Sequence, residues 1–432
     1  MSKQNNKDFA KTEKAWRAIV EERDIAAIIS SKGHYEISAA DIKTVGKREP
    51  RLMAKFDTVE GLPPVFKELS MCITTISNGM YLLYKDKGYR SYLDIGKQYK
   101  ETEERLFVPK EAFELETLKF APNLSESKAI DYAHHSGLLG HVIGDDNLRL
   151  TSRGRFFSSD FELKLSASGK PFIINKAQIE VDSGYEGIDT FTLFEAKSGK
   201  RKSFNIRQLY YPYSHYVKFV KKPIKNFLVE FSNGIYYFTE VCFDSSGIYY
   251  DYVPLRTVAY KIHQPGDVFF DVDKALGSPV ISSGSIPLPQ ADDVNKVLDL
   301  GSLLLNKSMS GLDVALKFGL VSRQGDYYPN ALAYIGLAER VDGKFVLTPV
   351  GRKVFSIENR RLRNAMFANA ILSTRLFKDL MSVYLRSGYV FVKQEMLDRL
   401  SKENINGSTI ERRYTTAKRW LEWIRIYAIE GN

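Results

Sequence analysis

Ile179-Glu180-Val181-Asp182-Ser183-Gly184-Tyr185-Glu186-Gly187-Ile188-Asp189-Thr190-Phe191-Thr192-Leu193-Phe194-Glu195-Ala196-Lys197 sets ionisable side chains into a run that otherwise has the apolar composition of a strand. Side chains two residues apart share a face of an extended chain, so if residues 188–197 are extended, Asp189, Glu195 and Lys197 point the same way. Phe191 and Leu193 lie between them, and Thr190, Thr192, Phe194 and Ala196 line the other face. Two carboxylates on one apolar face repel unless a cation separates them, and hard oxygen ligands suit Mg²⁺, with Mn²⁺ as a substitute.

The charge around this stretch is uneven. Between Ser198 and Val229 there are eight basic residues, among them Lys200, Arg201, Lys202 and Arg207, and no acidic one. With a net charge of +10, the chain is suited to a polyanionic partner, and this block would carry a phosphate backbone to the carboxylates. A second basic segment, Lys47 to Asp57, offers Arg48, Arg51 and Lys55 for the same purpose.

Working outward, the chain is long enough for about two to four domains. Residues 1–120 combine a helical pattern over Phe9 to Ile29 with short strand-like runs such as Met80 to Tyr84, an α+β composition. Ala129 to Phe157 and Ala331 to Phe355 repeat one pattern: a helix ending in Gly-Leu, a turn, a strand, Leu-Thr-x-x-Gly-Arg, then a further helix. This resembles the wing region of winged-helix domains. The expected division is an N-terminal α+β domain (1–120), a winged-helix-like segment (121–165), an αβ core (166–276), a Gly/Pro/Ser-rich linker (277–291) and a helical DNA-binding region (292–432). In the last of these, Ser408-Thr409-Ile410-Glu411 has the form of a capping box opening a helix that carries Arg412, Arg413 and Arg419.

Other classes are set aside by composition. No apolar run approaches the ~20 residues of a membrane span, and the polar Met1 to Lys7 lacks the apolar core of a secretory signal, so a cytoplasmic, prokaryotic location is expected. Two cysteines, Cys72 and Cys242, make neither a disulfide framework nor a zinc site and are expected to be buried thiols.

The acid-x-Lys triplet alone is weak, since Asp41-Ile42-Lys43, Glu126-Ser127-Lys128 and Glu162-Leu163-Lys164 share it. Only Glu195-Ala196-Lys197 ends a strand-like run with an acid upstream and is followed by a basic segment and then a helix candidate, Phe204 to Tyr213. Together with Gln178 to Asp182, Ile206 to Tyr213 and Arg48 to Asp57, it resembles the PD-(D/E)XK nuclease superfamily, and within it the type II restriction endonucleases of bacteria. The resemblance implies Mg²⁺ held by Asp189, Glu195 and the Ala196 carbonyl. Lys197 would orient the attacking water, Glu180 would act as an upstream acid, and Gln208 would support the ligands. No proline precedes Asp189 and its interval to Glu195 is short for the superfamily, so Glu186 and Asp182 remain alternative first ligands.

The resulting expectation is a multidomain α+β/αβ chain with a PD-(D/E)XK core and C-terminal winged-helix or helix-turn-helix modules. It would cleave double-stranded DNA sequence-specifically within a restriction–modification system. A cognate DNA methyltransferase would be its functional rather than physical partner, and it would act as a homodimer that presents one site to each antiparallel strand. Two alternatives stay open: a winged-helix regulator without catalysis, and a structure-specific repair nuclease of the same superfamily.

Overall fold

The computed structural model describes residues 2–100, 102–109, 115–118, 124–166, 169–244, 247–263, 270–280, 287–402 and 409–430. It is a mixed αβ, multidomain architecture built on a seven-stranded sheet. The strands are β1 (Glu104–Phe107), β2 (Arg149–Phe157), β3 (Gln178–Glu186), β4 (Phe191–Ser198), β5 (Ile224–Ser232), β6 (Ile235–Phe243) and β7 (Tyr252–Ile262). Their spatial order is β1-β7-β6-β5-β4-β3-β2. The β4–β5 and β7–β1 pairs are parallel and the others antiparallel.

The helices that position this sheet are α1 (Ser2–Glu22), α2 (Pro50–Ala54), α3 (Glu126–His135), α4 (Leu138–Ile143) and α5 (Arg207–Tyr216). Those of the C-terminal region are α6 (Val294–Leu304), α7 (Gly311–Phe318), α8 (Tyr327–Tyr334), α9 (Pro349–Phe355), α10 (Arg360–Leu372) and α11 (Ile410–Ile424).

β4 is buried on both faces, which explains its nearly continuous apolar composition. Phe194 and Ala196 pack with Phe227, Val229 and Tyr236 beneath α3 and α4. Phe191 and Leu193 face the opposite side, against Tyr213 and Tyr216 of α5. Alternation along the strand therefore carries Glu195 and Lys197 to the α5 side. On that side, residues from Ala15 to Leu93 share one hydrophobic core with Leu209, Tyr211 and Leu228, so the N-terminal region is packed onto the sheet rather than set apart from it.

The C-terminal region has its own core, in which Trp420 stacks on Phe377 with centroids 5.3 Å apart. It meets the sheet at the β5–β6 hairpin, where Asn233 (φ 47°) and Gly234 (φ 76°) form the tight Asn-Gly turn that a two-residue hairpin prefers. Asp299 on α6 accepts from Ser232 Oγ (2.6 Å) and the Asn233 amide (2.8 Å), and Arg363 Nη2 donates to Asn233 Oδ1 (2.5 Å).

Several expectations are corrected here. The strand after the turn starts at Phe191, so Ile188 and Asp189 are not extended. The first copy of the repeat contains no wing: its strand is β2, paired with β3 at the edge of the large sheet. The N-terminal helical pattern breaks at Asp24, in left-handed conformation (φ 46°), and resumes over Ile25–Lys32. Cys72 is buried as expected, whereas Cys242 is exposed, opposite Val253 on the part of β7 that β1 does not cover. Leu288 and Ala291 are buried in the C-terminal core, so the end of the linker segment is packed. Residues 281–286, Ser408 of the expected capping box, and the 120/121 boundary lie outside the described residues.

Candidate active site

Between the edge of the sheet, α5 and α2 lies a cleft of about 570 Å³. Glu195 and Lys197 form its floor, 6% and 8% exposed, and the Lys197 ammonium donates to Glu195 Oε1. The second acid comes from the neighbouring strand. β3 and β4 pair antiparallel through Phe194↔Ser183, and Asp182 and Glu195 stand one residue beyond that pair on each strand. Asp182 Oδ2 accepts from the Ala196 amide at 2.8 Å, which fixes this carboxylate against the backbone between Glu195 and Lys197.

Alternation on β3 places Gln178, Glu180 and Asp182 toward the cleft while Ile179, Val181 and Ser183 are buried. Glu180 is exposed and paired with Arg155 Nε at 3.0 Å. Glu126, at the start of α3, reaches the same cleft from the other side of β4: it accepts from the Ser198 amide (3.1 Å) and lies 3.9 Å from Lys317 Nζ of α7.

The electrostatics follow from burial. Desolvation pushes the Glu195 carboxyl up to about 8 against the pull of Lys197, and Asp182 and Glu126 add repulsion in the same direction. Desolvation also raises Asp182. Burial opposes the Lys197 charge as well, but Glu195 and Glu126 more than offset this and hold the ammonium above its ordinary range. The cluster is thus one cation among more acid than it can neutralise, and burial together with Asp182 and Glu126 holds the Glu195 carboxyl well above its ordinary range.

The expected residues divide clearly. Glu195, Ala196 and Lys197 are at the site, and Glu180 and Gln208 line the cleft or border it. Gln208 Nε2 donates to Asp57 Oδ1 (3.0 Å), and its Oε1 is buried without a partner. Asp189 is elsewhere: it is exposed in the β3–β4 turn, whose backbone is held by Asp145 Oδ2 accepting from the Ile188 amide at 2.7 Å. A residue in a bend has no strand face to share, which is why the period-two reading fails for it. Glu186 is at the same remote end, tied to Lys222 Nζ at 2.8 Å. Of the alternatives for the first acid, Asp182 alone is brought to Glu195.

Among the basic candidates, Arg51, Lys55, Arg201 and Arg207 line the cleft, joined by Arg155, which had not been singled out. Lys200 and Lys202 face a neighbouring cavity instead, and Arg48 is half-buried outside the cleft lining. Arg412 and Arg419 are exposed on α11 and Arg413 is half-buried there; Arg419 pairs with Asp292 at 2.9 Å. Trp420 and Trp423 of that helix belong to the core, with Trp420 Nε1 donating to the Ala291 carbonyl at 2.7 Å. Glu126 and Asp57 were not foreseen, because each reaches the cleft only through the tertiary fold.

Three segments of the chain match family models, each described as a domain of unknown function: DUF6996 over residues 13–83, DUF6997 over residues 89–261 and DUF7226 over residues 296–428. The second segment contains Asp182, Glu195 and Lys197. Comparison with curated proteins and with solved structures finds no match. Among the described residues, no helix is long and apolar enough to cross a membrane.

Proposed function

We propose that the chain is a Mg²⁺-dependent endonuclease that cuts double-stranded DNA at specific sequences, of the kind found in restriction–modification systems. The observation that carries this is the meeting of Asp182, Glu195 and Lys197 in a cleft rimmed by Arg51, Lys55, Arg155, Arg201 and Arg207. The order of elements supports it: a helix (α3), three antiparallel strands (β2, β3, β4), a helix (α5) and a strand (β5) parallel to β4 is an arrangement that a compact αβ nuclease core uses.

The residues fit a hard divalent cation. Among the described residues no three His, Cys, Asp or Glu side chains converge on one point, but Mg²⁺ commonly takes only one or two carboxylates and fills its other positions with water and phosphate. Asp182 and Glu195 would hold it, with the Ala196 carbonyl as a third donor, and the excess of buried acid gives it a reason to bind. When bound, it supplies Lewis-acid activation and charge neutralisation at the phosphoryl oxygens. Lys197 orients the attacking water, the arginines of the rim hold the flanking phosphates, and Gln208 holds Asp57 at the edge of the cleft.

The C-terminal succession of α6, α7, α8 and the hairpin Ala338–Val341/Lys344–Leu347 supports a winged-helix module there, with Met309 bridging Phe345 as a third short strand would. Two copies of the chain would present one cleft to each strand of a duplex.

The test is incubation of the full chain with unmethylated phage DNA in Mg²⁺ or in EDTA. Discrete fragments in Mg²⁺ alone are expected. DNA that stays intact while remaining bound would favour a regulator, and unspecific or structure-dependent cutting would favour a repair nuclease.

A further inference from the structure

A second cavity of about 480 Å³ opens beside the catalytic cleft, between the loop that follows β4 and the C-terminal region. Arg201 lines both cavities. The volume lies within the range of small-ligand sites.

The chemistry of its walls is specific. The Lys200 ammonium lies 3.9 Å from the Tyr237 ring centroid and 5.0 Å from that of Tyr99, so aromatic faces rather than a carboxylate receive its charge. Arg201 spends its backbone amide on Glu230 Oε1 (2.8 Å) and leaves its side-chain Nε buried without a partner. The Tyr99 hydroxyl is likewise buried and unpartnered. Lys202 is exposed at the mouth, with Tyr327 half-buried beside Gln324. The two carboxylates of the wall are already engaged, Asp292 by Arg419 and Asp293 by the Lys296 amide and ammonium. What remains uncommitted is the charge of Arg201 and Lys202, the amides of Gln290 and Gln324 and the rings of Tyr327 and Tyr328, which together match a phosphate joined to a heteroaromatic base.

The route into the cavity is equally defined. From Lys197 the chain passes through Gly199, whose amide donates to the Phe231 carbonyl at 2.7 Å, directly to Lys200, Arg201 and Lys202. Because Arg201 lines both the cleft and this cavity, a strand held in the cleft can reach the cavity past that guanidinium.

We infer that the cavity takes one unpaired nucleotide of the DNA strand lying in the catalytic cleft, its phosphate on Arg201 and Lys202 and its base against the tyrosine faces. A paired base cannot enter a pocket of this kind, so the nucleotide must leave the duplex stack. The inference rests on the reading of the cleft as a DNA-cleaving site, and its test is kept separate from cleavage.

The full chain in EDTA is titrated against a fluorescein-labelled single-stranded octanucleotide, with fluorescence anisotropy as the readout. Tyr327→Ala and Lys202→Ala are expected to weaken binding by roughly tenfold each, whereas Asp189→Asn, in the remote turn, leaves it unchanged. An octanucleotide with abasic sites should bind more weakly than the base-bearing one. Wild-type affinity in both cavity variants, equal binding of the abasic strand, or displacement of the probe by ATP or inorganic phosphate at the concentration of unlabelled octanucleotide that displaces it would each overturn the inference. Failure of the nuclease reading shows separately, as intact phage DNA in Mg²⁺, and does not alter the metal-free result.

Discussion

Asp182 Oδ2 accepts from the Ala196 amide at 2.8 Å, so an acid from one arm of the β3–β4 hairpin is locked against the backbone between Glu195 and Lys197 of the other. The pair of carboxylates is thus a cross-strand feature, and the acids nearest in sequence to Glu195 are not the ones nearest in space.

The consequence for mutagenesis is a sharp contrast between two aspartates. Asp182→Asn is expected to lower Mg²⁺-dependent cleavage by at least about a hundredfold, the scale of losing a metal ligand, while Asp189→Asn stays within about twofold. Single-turnover cleavage of a plasmid carrying one site measures both. Loss of cleavage in Asp189→Asn with Asp182→Asn near wild type would mean that the exposed turn, not β3, supplies the acid.

Mg²⁺ binding should release a proton. Glu195 is held up to about 8 by burial, by Asp182 and by Glu126, so at pH 7 it is largely protonated and must ionise to bind a cation. Calorimetric titration in buffers of different ionisation heat is expected to show nearly one proton released at pH 7 and none above about pH 9. In EDTA the sign for stability follows from the same shift. The folded chain keeps a proton that the unfolded chain loses near 4.5, so this group's contribution is full below 4.5 and is lost as pH rises through about 8. Mg²⁺ should offset that loss.

Asp299 tests the seam between the sheet and the C-terminal region. Burial raises its carboxyl to about 7, against hydrogen bonds from Ser232 and Asn233. Its contribution is present below its ordinary 3.8 and fades as pH climbs through about 7, so Asp299→Asn should flatten the fall in melting temperature between pH 5 and 8. Asp299→Ala removes the acceptor for two buried donors and is expected to cost about 1–3 kcal/mol for each. An unchanged melting profile for the alanine variant would contradict the buried seam.

Gly199 sits at φ +80°, and a Cβ there would lie 3.0 Å from Phe318 Cε1 of α7. Gly199→Ala is expected to destabilise by about 1–3 kcal/mol through backbone strain and overpacking. Pairing it with Phe318→Leu should recover only the steric part. Thermal melts of the two variants separate the contributions, and full recovery would show that the backbone conformation carries no cost.

How much of this was legible in the sequence varies by element. Glu195-Ala196-Lys197 could be placed because β4 is a continuous apolar run and its two charged residues stand out against it. The helix after it was expected over 204–213 and is found as Arg207–Tyr216, close because its aromatic residues recur with helical period. Asp182 was only one alternative among three, since which acid meets Glu195 depends on the length of the intervening turn, and that is fixed by Asp145 more than thirty residues upstream. Glu126 belongs to one of the other acid-x-Lys triplets, and nothing local in the sequence relates α3 to β4. The repeat misled for a related reason: helix, Gly-Leu, turn and strand is a short-range pattern, and whether the strand closes a wing or joins a larger sheet is decided by its partner. β2 found β3.

The β3–β4 turn also acts as a ruler. Its four residues, Gly187 to Thr190, are closed by a bond from the Gly187 amide to the Thr190 carbonyl (2.8 Å) and carry no functional side chain in the cleft. Yet their number decides which residue of one arm stands across from Glu195. Removal of a single residue there would slide Asp182 out of step and turn the polar row Gln178, Glu180, Asp182 toward the opposite side of the sheet. If the cleft cuts DNA as proposed, the spacing of a loop remote from it matters to that activity as much as the carboxylates it aligns.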